Sequence, residues 1–183
     1  MTYVKEIEDR RSSETYLGEI STTQYLFLIP MYSRQEASQL RQEFWTAFGQ
    51  YMQPILSAEG EKLNWINYKT GEKHIYFKMQ ADNKKSVIGI EISHPDPGVQ
   101  QLYFDQFQEL KKFLVAETEE EWDWLLHTYD ETGRQVSRIG TTLAPVSIFK
   151  RDEWPALISF FKPRIMALDA FWSNVKYSFE ELR

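Results

Sequence analysis

The sequence predicts an α+β domain: a mainly antiparallel sheet covered by helices. Three observations carry this reading. Short stretches with strict apolar/polar alternation come in neighbouring runs joined by turn residues, the signature of hairpins. Between them lie segments whose apolar residues recur every three or four positions, the signature of amphipathic helices. The elements fall in the order α-β-β-β-α-β-β-α, with strands grouped together, which suits an antiparallel sheet with helices laid over it.

The first predicted helix begins at Ser33. Ser33-Arg34-Gln35-Glu36 fits a capping box, and Ala37, Leu40, Phe44, Phe48 and Tyr51 follow at helical spacing before Pro54 ends the run. Three strands are expected next, over Leu63–Tyr68, Lys73–Met79 and Ser86–Ser93. Alternation puts Leu63 and Trp65 on one face with Ile75, Phe77 and Met79, and it sends His74, Tyr76 and Lys78 to the other. Lys69-Thr70-Gly71 suits a three-residue turn that would set Trp65 opposite Ile75. In the third strand Ile88, Ile90 and Ile92 share a side, leaving Glu91 facing outward. Asp96 then caps a helix with Pro97 at its first position, and Val99, Leu102, Tyr103, Phe107, Leu110 and Leu114 form its buried face. Trp122–Asp130 and Arg134–Leu143 read as a second hairpin around Glu131-Thr132-Gly133, and Val146–Phe149 as an edge piece. The longest helix is expected from Asp152 to about Glu180, kinked at Pro163.

Length and composition bound the rest. At 183 residues with 42% apolar content, the chain can bury one core, and 15% aromatic residues exclude disorder. One domain over residues 31–183 is expected. Residues 1–30 read as a flexible extension outside the fold, because they are polar and aperiodic apart from Tyr25–Ile29. With no cysteine, disulfides, thiolate metal sites and cysteine nucleophiles are excluded, and a cytoplasmic setting is expected. A net charge of −6 disfavours strong non-specific nucleic-acid binding, and no apolar run approaches the ~20 residues of a membrane span.

The candidate chemistry is sparse. The element order α-β-β-β-α-β is loosely that of the PD-(D/E)XK, restriction-endonuclease-like arrangement, which needs two carboxylates on a metal and a nearby lysine. Asp82, Glu91 and Lys78 are the residues that would serve as a catalytic set. The position two beyond Glu91 is Ser93 rather than lysine, so the motif is incomplete. His74, His94 and His127 lack metal-ligand spacing, and the phosphate-binding glycine motifs are missing, so no metal or cofactor is expected. A binding reading draws on lysines and aromatics around the first hairpin: Trp65, Tyr68, His74, Tyr76 and Lys78. Arg138 joins them, with Glu121 or Asp123 as its expected carboxylate partner.

The segments LNWINYKTGEKHIYF, IGIEI, the pair Glu121-Trp122 with Ser137-Arg138-Ile139, and WPALISFFKPRIMALDAFW also carry a resemblance. Through them residues 31–183 resemble a bacterial family catalogued as domain of unknown function 4268. In larger relatives such a domain lies C-terminal to a nuclease-like region, so the resemblance implies an accessory role in DNA-related or defence systems. It offers no catalytic residue to carry over. The expected function is therefore a non-catalytic binding or accessory domain with a protein or nucleic-acid partner, a homodimer being among the allowed assemblies. The alternative is a metal-dependent nuclease with a degenerate site.

Overall fold

A computed structural model describes residues 32–182. The expectations for residues 1–30 lie outside them. Helix α1 spans Arg34–Met52 and is followed by a short 3-10 turn, Trp65–Asn67. Strands β1 (Ile75–Ala81) and β2 (Ser86–Ile92) form the first hairpin, and α2 (Pro97–Glu109) and α3 (Lys111–Thr118) come next. The second hairpin is β3 (Asp123–Tyr129) with β4 (Gln135–Leu143), and α4 (Trp154–Val175) closes the domain.

The fold is α+β, and its four strands lie in the order β1-β2-β4-β3, every pair antiparallel. The hairpins are therefore joined through their second strands, with β2 and β4 at the centre. Asp96 caps α2 as expected, its carboxylate accepting from the Gly98 and Val99 N–H groups at 2.7 and 3.1 Å. Gly133 closes the second turn with φ 80°.

Leu63–Tyr68 is not a strand. Asn64 accepts from its own downstream backbone at Asn67, which favours a turn, and Trp65 is buried with its indole N–H donating to the Ile55 carbonyl at 3.0 Å. The turn after Gly71 therefore connects a loop to β1, and the Trp65–Ile75 pairing does not form. The helix after β2 breaks at Leu110 into α2 and α3. The last α-helix starts at Trp154, runs through Pro163, ends at Val175 and continues as a 3-10 segment to Leu182. Val146–Phe149 does not form a strand, but the Val146 and Ile148 N–H groups bond to the Lys84 and Asp82 carbonyls beside the first turn.

One face of the sheet carries the core. Ile75, Phe77, Ile88, Ile90, Ile92 and Ile139 pack against Phe104, Phe107, Leu168 and Trp172 from the helices. Phe179 is fully buried against Phe107 and Trp172, with ring centroids 4.6 and 5.1 Å away. Each such side chain stabilises by roughly 1.5–3 kcal/mol relative to exposure. Among the described residues, no helix is long and apolar enough to cross a membrane.

Candidate functional site on the outer sheet face

The pleat sends Tyr76, Lys78 and Gln80 to the face opposite the core. Strand register then aligns a row across all four strands: Tyr76 opposite Glu91, Glu91 opposite Arg138, and Arg138 opposite Leu125. Tyr76 and Leu125 at the two ends are 41% and 52% exposed. Glu91 in the middle is only 5% exposed. A carboxylate so placed must be paired. Arg138 donates to its Oε2 from Nε at 3.2 Å and from Nη2 at 3.0 Å, and Arg134 sits 3.7 Å from Oε1.

The next row runs from Lys78 through Gly89 and Gly140 to Asp123. The two glycines are required by close strand approach. A Cβ on Gly89 would lie 2.3 Å from the Ile139 carbonyl oxygen, and one on Gly140 would lie 2.5 Å from that of Ile88. The middle of the face is therefore bare backbone flanked by charged and aromatic groups. The Lys78 ammonium lies over the Tyr76 ring, 5.1 Å from its centroid.

The β3–β4 turn is ordered by Asp130. Its Oδ1 accepts from the Thr132 N–H and hydroxyl and from the Arg134 N–H, and its Oδ2 accepts from Arg134 Nε at 3.2 Å. The Thr132 hydroxyl and the Arg134 N–H are the leading causes that hold the Asp130 carboxyl at about 2. Arg134 thereby links the turn to Glu91.

Not all the sequence candidates meet on this face. Tyr76, Lys78 and Arg138 do. Trp65 is core, and Tyr68 is half-buried, stacked on Phe77 at 4.8 Å. His74 lies at the sheet end near α2, where its ring meets His94 edge-to-face at 4.7 Å. These two line a cleft of about 570 Å³ with Glu72, Val99, Tyr103 and Leu182. Partial burial, then the neighbouring positive charges of His94, Lys73 and Arg134, push the His74 imidazole below its ordinary range.

The expected carboxylate partners of Arg138 are also corrected: it pairs with Glu91, not with Glu121 or Asp123. β4 lies between β2 and β3, and its outward-pointing guanidinium meets the buried carboxylate on the β2 side. Glu91 and Lys78 share the face, but Asp82 sits in the β1–β2 turn, bonded to the Lys84 and Lys85 N–H groups. It is six residues along β1 from the partner of Glu91, about 20 Å at ~3.3 Å per residue. The two carboxylates do not converge. Among the described residues, no three His, Asp or Glu side chains are grouped to hold a metal ion.

Sequence reasoning missed one buried acid. Asp169 on α4 is 4% exposed and accepts from Tyr68 Oη at 2.7 Å and from the Ala58 N–H at 2.6 Å. It fastens the loop before β1 to the last helix. Burial and this carboxylate push the Tyr68 phenol far above its usual value. The signal was present, because Asp169 follows Ile165 by four and precedes Trp172 by three, on the apolar stripe of the helix.

A family model described as Domain of unknown function (DUF4268) matches residues 40–176. No curated protein and no solved structure matches the chain.

Proposed function

We propose that this chain, which belongs to the DUF4268 family, is a non-catalytic binding or accessory domain that engages a protein partner through its outer sheet face. The observation that supports the reading is the row Tyr76–Glu91–Arg138–Leu125. Its ends are exposed and partly apolar, and its centre is a carboxylate hydrogen-bonded by Arg138 and ion-paired at longer range with Arg134. A carboxylate committed to guanidinium partners is a poor metal ligand or base, whereas the flanking aromatic and aliphatic groups suit contact with another surface. Charge favours a protein over nucleic acid. Lys78, Arg134 and Arg138 on this face are balanced by Glu91, Asp123 and Asp130, leaving no excess to meet phosphates. The position of such a domain C-terminal to a nuclease-like region in larger relatives suggests DNA-related or defence systems as the place to look.

A photo-crosslinker placed at Tyr76 and, as a control, at Gln108 on α2 tests this. Adducts from Tyr76 in source cells that vanish with Leu125→Ser are expected. Magnesium- or manganese-dependent cleavage of DNA or RNA that is lost in Glu91→Ala would instead establish the nuclease reading.

A further inference from the structure

The two edges of the sheet differ. β3 is broken by a bulge between Leu125 and Thr128, where His127 takes φ 50° and its Nε2 donates to the Pro97 carbonyl at 3.0 Å. A bulged, tethered strand is a poor template for another strand. β1 is paired with β2 without interruption from Ile75 to Ala81 and contains no proline. Because Ser93 donates to the His74 carbonyl, even-numbered residues of β1 turn their N–H and C=O groups toward β2, and odd-numbered ones turn away. Thr70 takes the Ile75 carbonyl. Among the described residues, the outward groups of Phe77, Met79 and Ala81 have no hydrogen-bond partner. The one lysine of the strand, Lys78, is folded over Tyr76 of the same strand.

We propose that two copies of this chain pair through β1, antiparallel, about a two-fold axis at Met79. The axis is selected by the side chains. Only odd residues can exchange outward hydrogen bonds, so the axis falls on a residue near the middle of the strand. An axis at Lys78 would set Lys78 directly opposite its own copy, which is unfavourable. An axis at Gln80 would run Phe77 past the end of the partner strand, against Asn83 of the partner subunit. An axis at Met79 pairs Phe77 with the partner's Ala81, Met79 with the partner's Met79, and Ala81 with the partner's Phe77. Large faces small on the core side, and Met79 and Ala81, partly exposed in one copy, become covered. On the outer face Lys78 lies opposite the partner's Gln80, and Tyr76 opposite the partner's Asp82, without a like-charge pair. The two sheets would join into one of eight strands, with an isologous interface.

Position 80 gives a signed test, because it is exposed and its backbone bonds belong to the β1–β2 ladder. Sedimentation equilibrium of the full chain at micromolar concentration is expected to show a dimer. Gln80→Glu, which sets a carboxylate opposite the partner's Lys78 twice, should tighten it about 2–30-fold, and Gln80→Lys should weaken it by a similar factor. Met79→Pro removes an outward N–H without touching a bond to β2, and should abolish dimerisation while leaving a cooperative thermal transition. A monomer throughout would overturn the proposal. So would a dimer indifferent to position 80, or one weakened by Gln80→Glu as an axis at Gln80 requires.

Discussion

Replacing Glu91 by alanine is the sharpest probe of the outer face, because the two readings of that residue predict opposite results. In the structure its carboxylate compensates Arg138 directly and Arg134 at longer range. Breaking a fully buried pair costs about 3–5 kcal/mol. Here the Arg138 side chain is 29% exposed and that of Arg134 57%, so water recovers part of the loss. The two hydrogen bonds from Arg138 to one charged acceptor set a reduced expectation of about 1.5–3 kcal/mol. At about 2–4 °C per kcal/mol for a chain of this size, the melting midpoint should fall by about 3–12 °C. The double variant Glu91→Ala/Arg138→Ala should lose less than the sum of the two single changes, since it strands no charge. Calorimetry or urea unfolding at neutral pH and low salt measures all four proteins. A Glu91→Ala chain as stable as the parent would refute the assignment, and so would strictly additive losses. An acid kept for catalysis at the expense of stability would show that opposite pattern.

Three further outcomes follow from the geometry. Gly89→Ala should destabilise by about 3 kcal/mol or more, because its Cβ meets a backbone carbonyl at 2.3 Å that cannot swing aside. Gly71→Ala, with open space around it but φ 81°, should cost only about 1–2 kcal/mol, and parallel unfolding curves compare the two. Tyr68→Phe strips Asp169 of its phenol donor and should cost about 1–3 kcal/mol in urea unfolding, with Asp169→Ala costing more. His74 titrates below its unfolded value of about 6.5, so the native state binds its proton less readily. Stability should therefore decline as pH falls through 6.5 toward the lowered folded value. In His74→Asn, which tolerates φ 66°, melting curves at pH 7.5 and 5.5 should lie closer together than in the parent.

What the sequence made legible was local. Asp96-Pro97 and Glu131-Thr132-Gly133 fix a helix start and a turn through their own backbone chemistry, and both stand where expected. Alternation in β1 gives its faces correctly, because its edge position leaves one side wet. It fails at Leu63–Tyr68, where a short apolar run lets Trp65 bury itself from a turn as readily as from a strand. In β2 it assigns the faces but not the burial: Glu91 does point away from the Ile88, Ile90 and Ile92 side, yet it is enclosed because the strand is covered on both faces. The site's central pairing was out of reach for a different reason. Glu91 meets Arg138 only because β2 lies beside β4, and no local pattern encodes which strands of two hairpins become neighbours. Tyr76 and Lys78 were found through alternation alone.

The bare strip at Gly89 and Gly140 has a consequence for how the chain reaches its native state. The two hairpins can each form early, from contacts close in sequence, and must then dock along β2 and β4. Docking displaced by two residues would preserve the inward and outward faces, so hydrophobic burial alone would scarcely reject it. It would, however, bring Arg138 or Thr142 opposite Gly89, placing a side chain where the native crossing leaves no room for a Cβ. Two glycines facing one another thus act as a key, favouring one alignment of the hairpins over near-miss pairings.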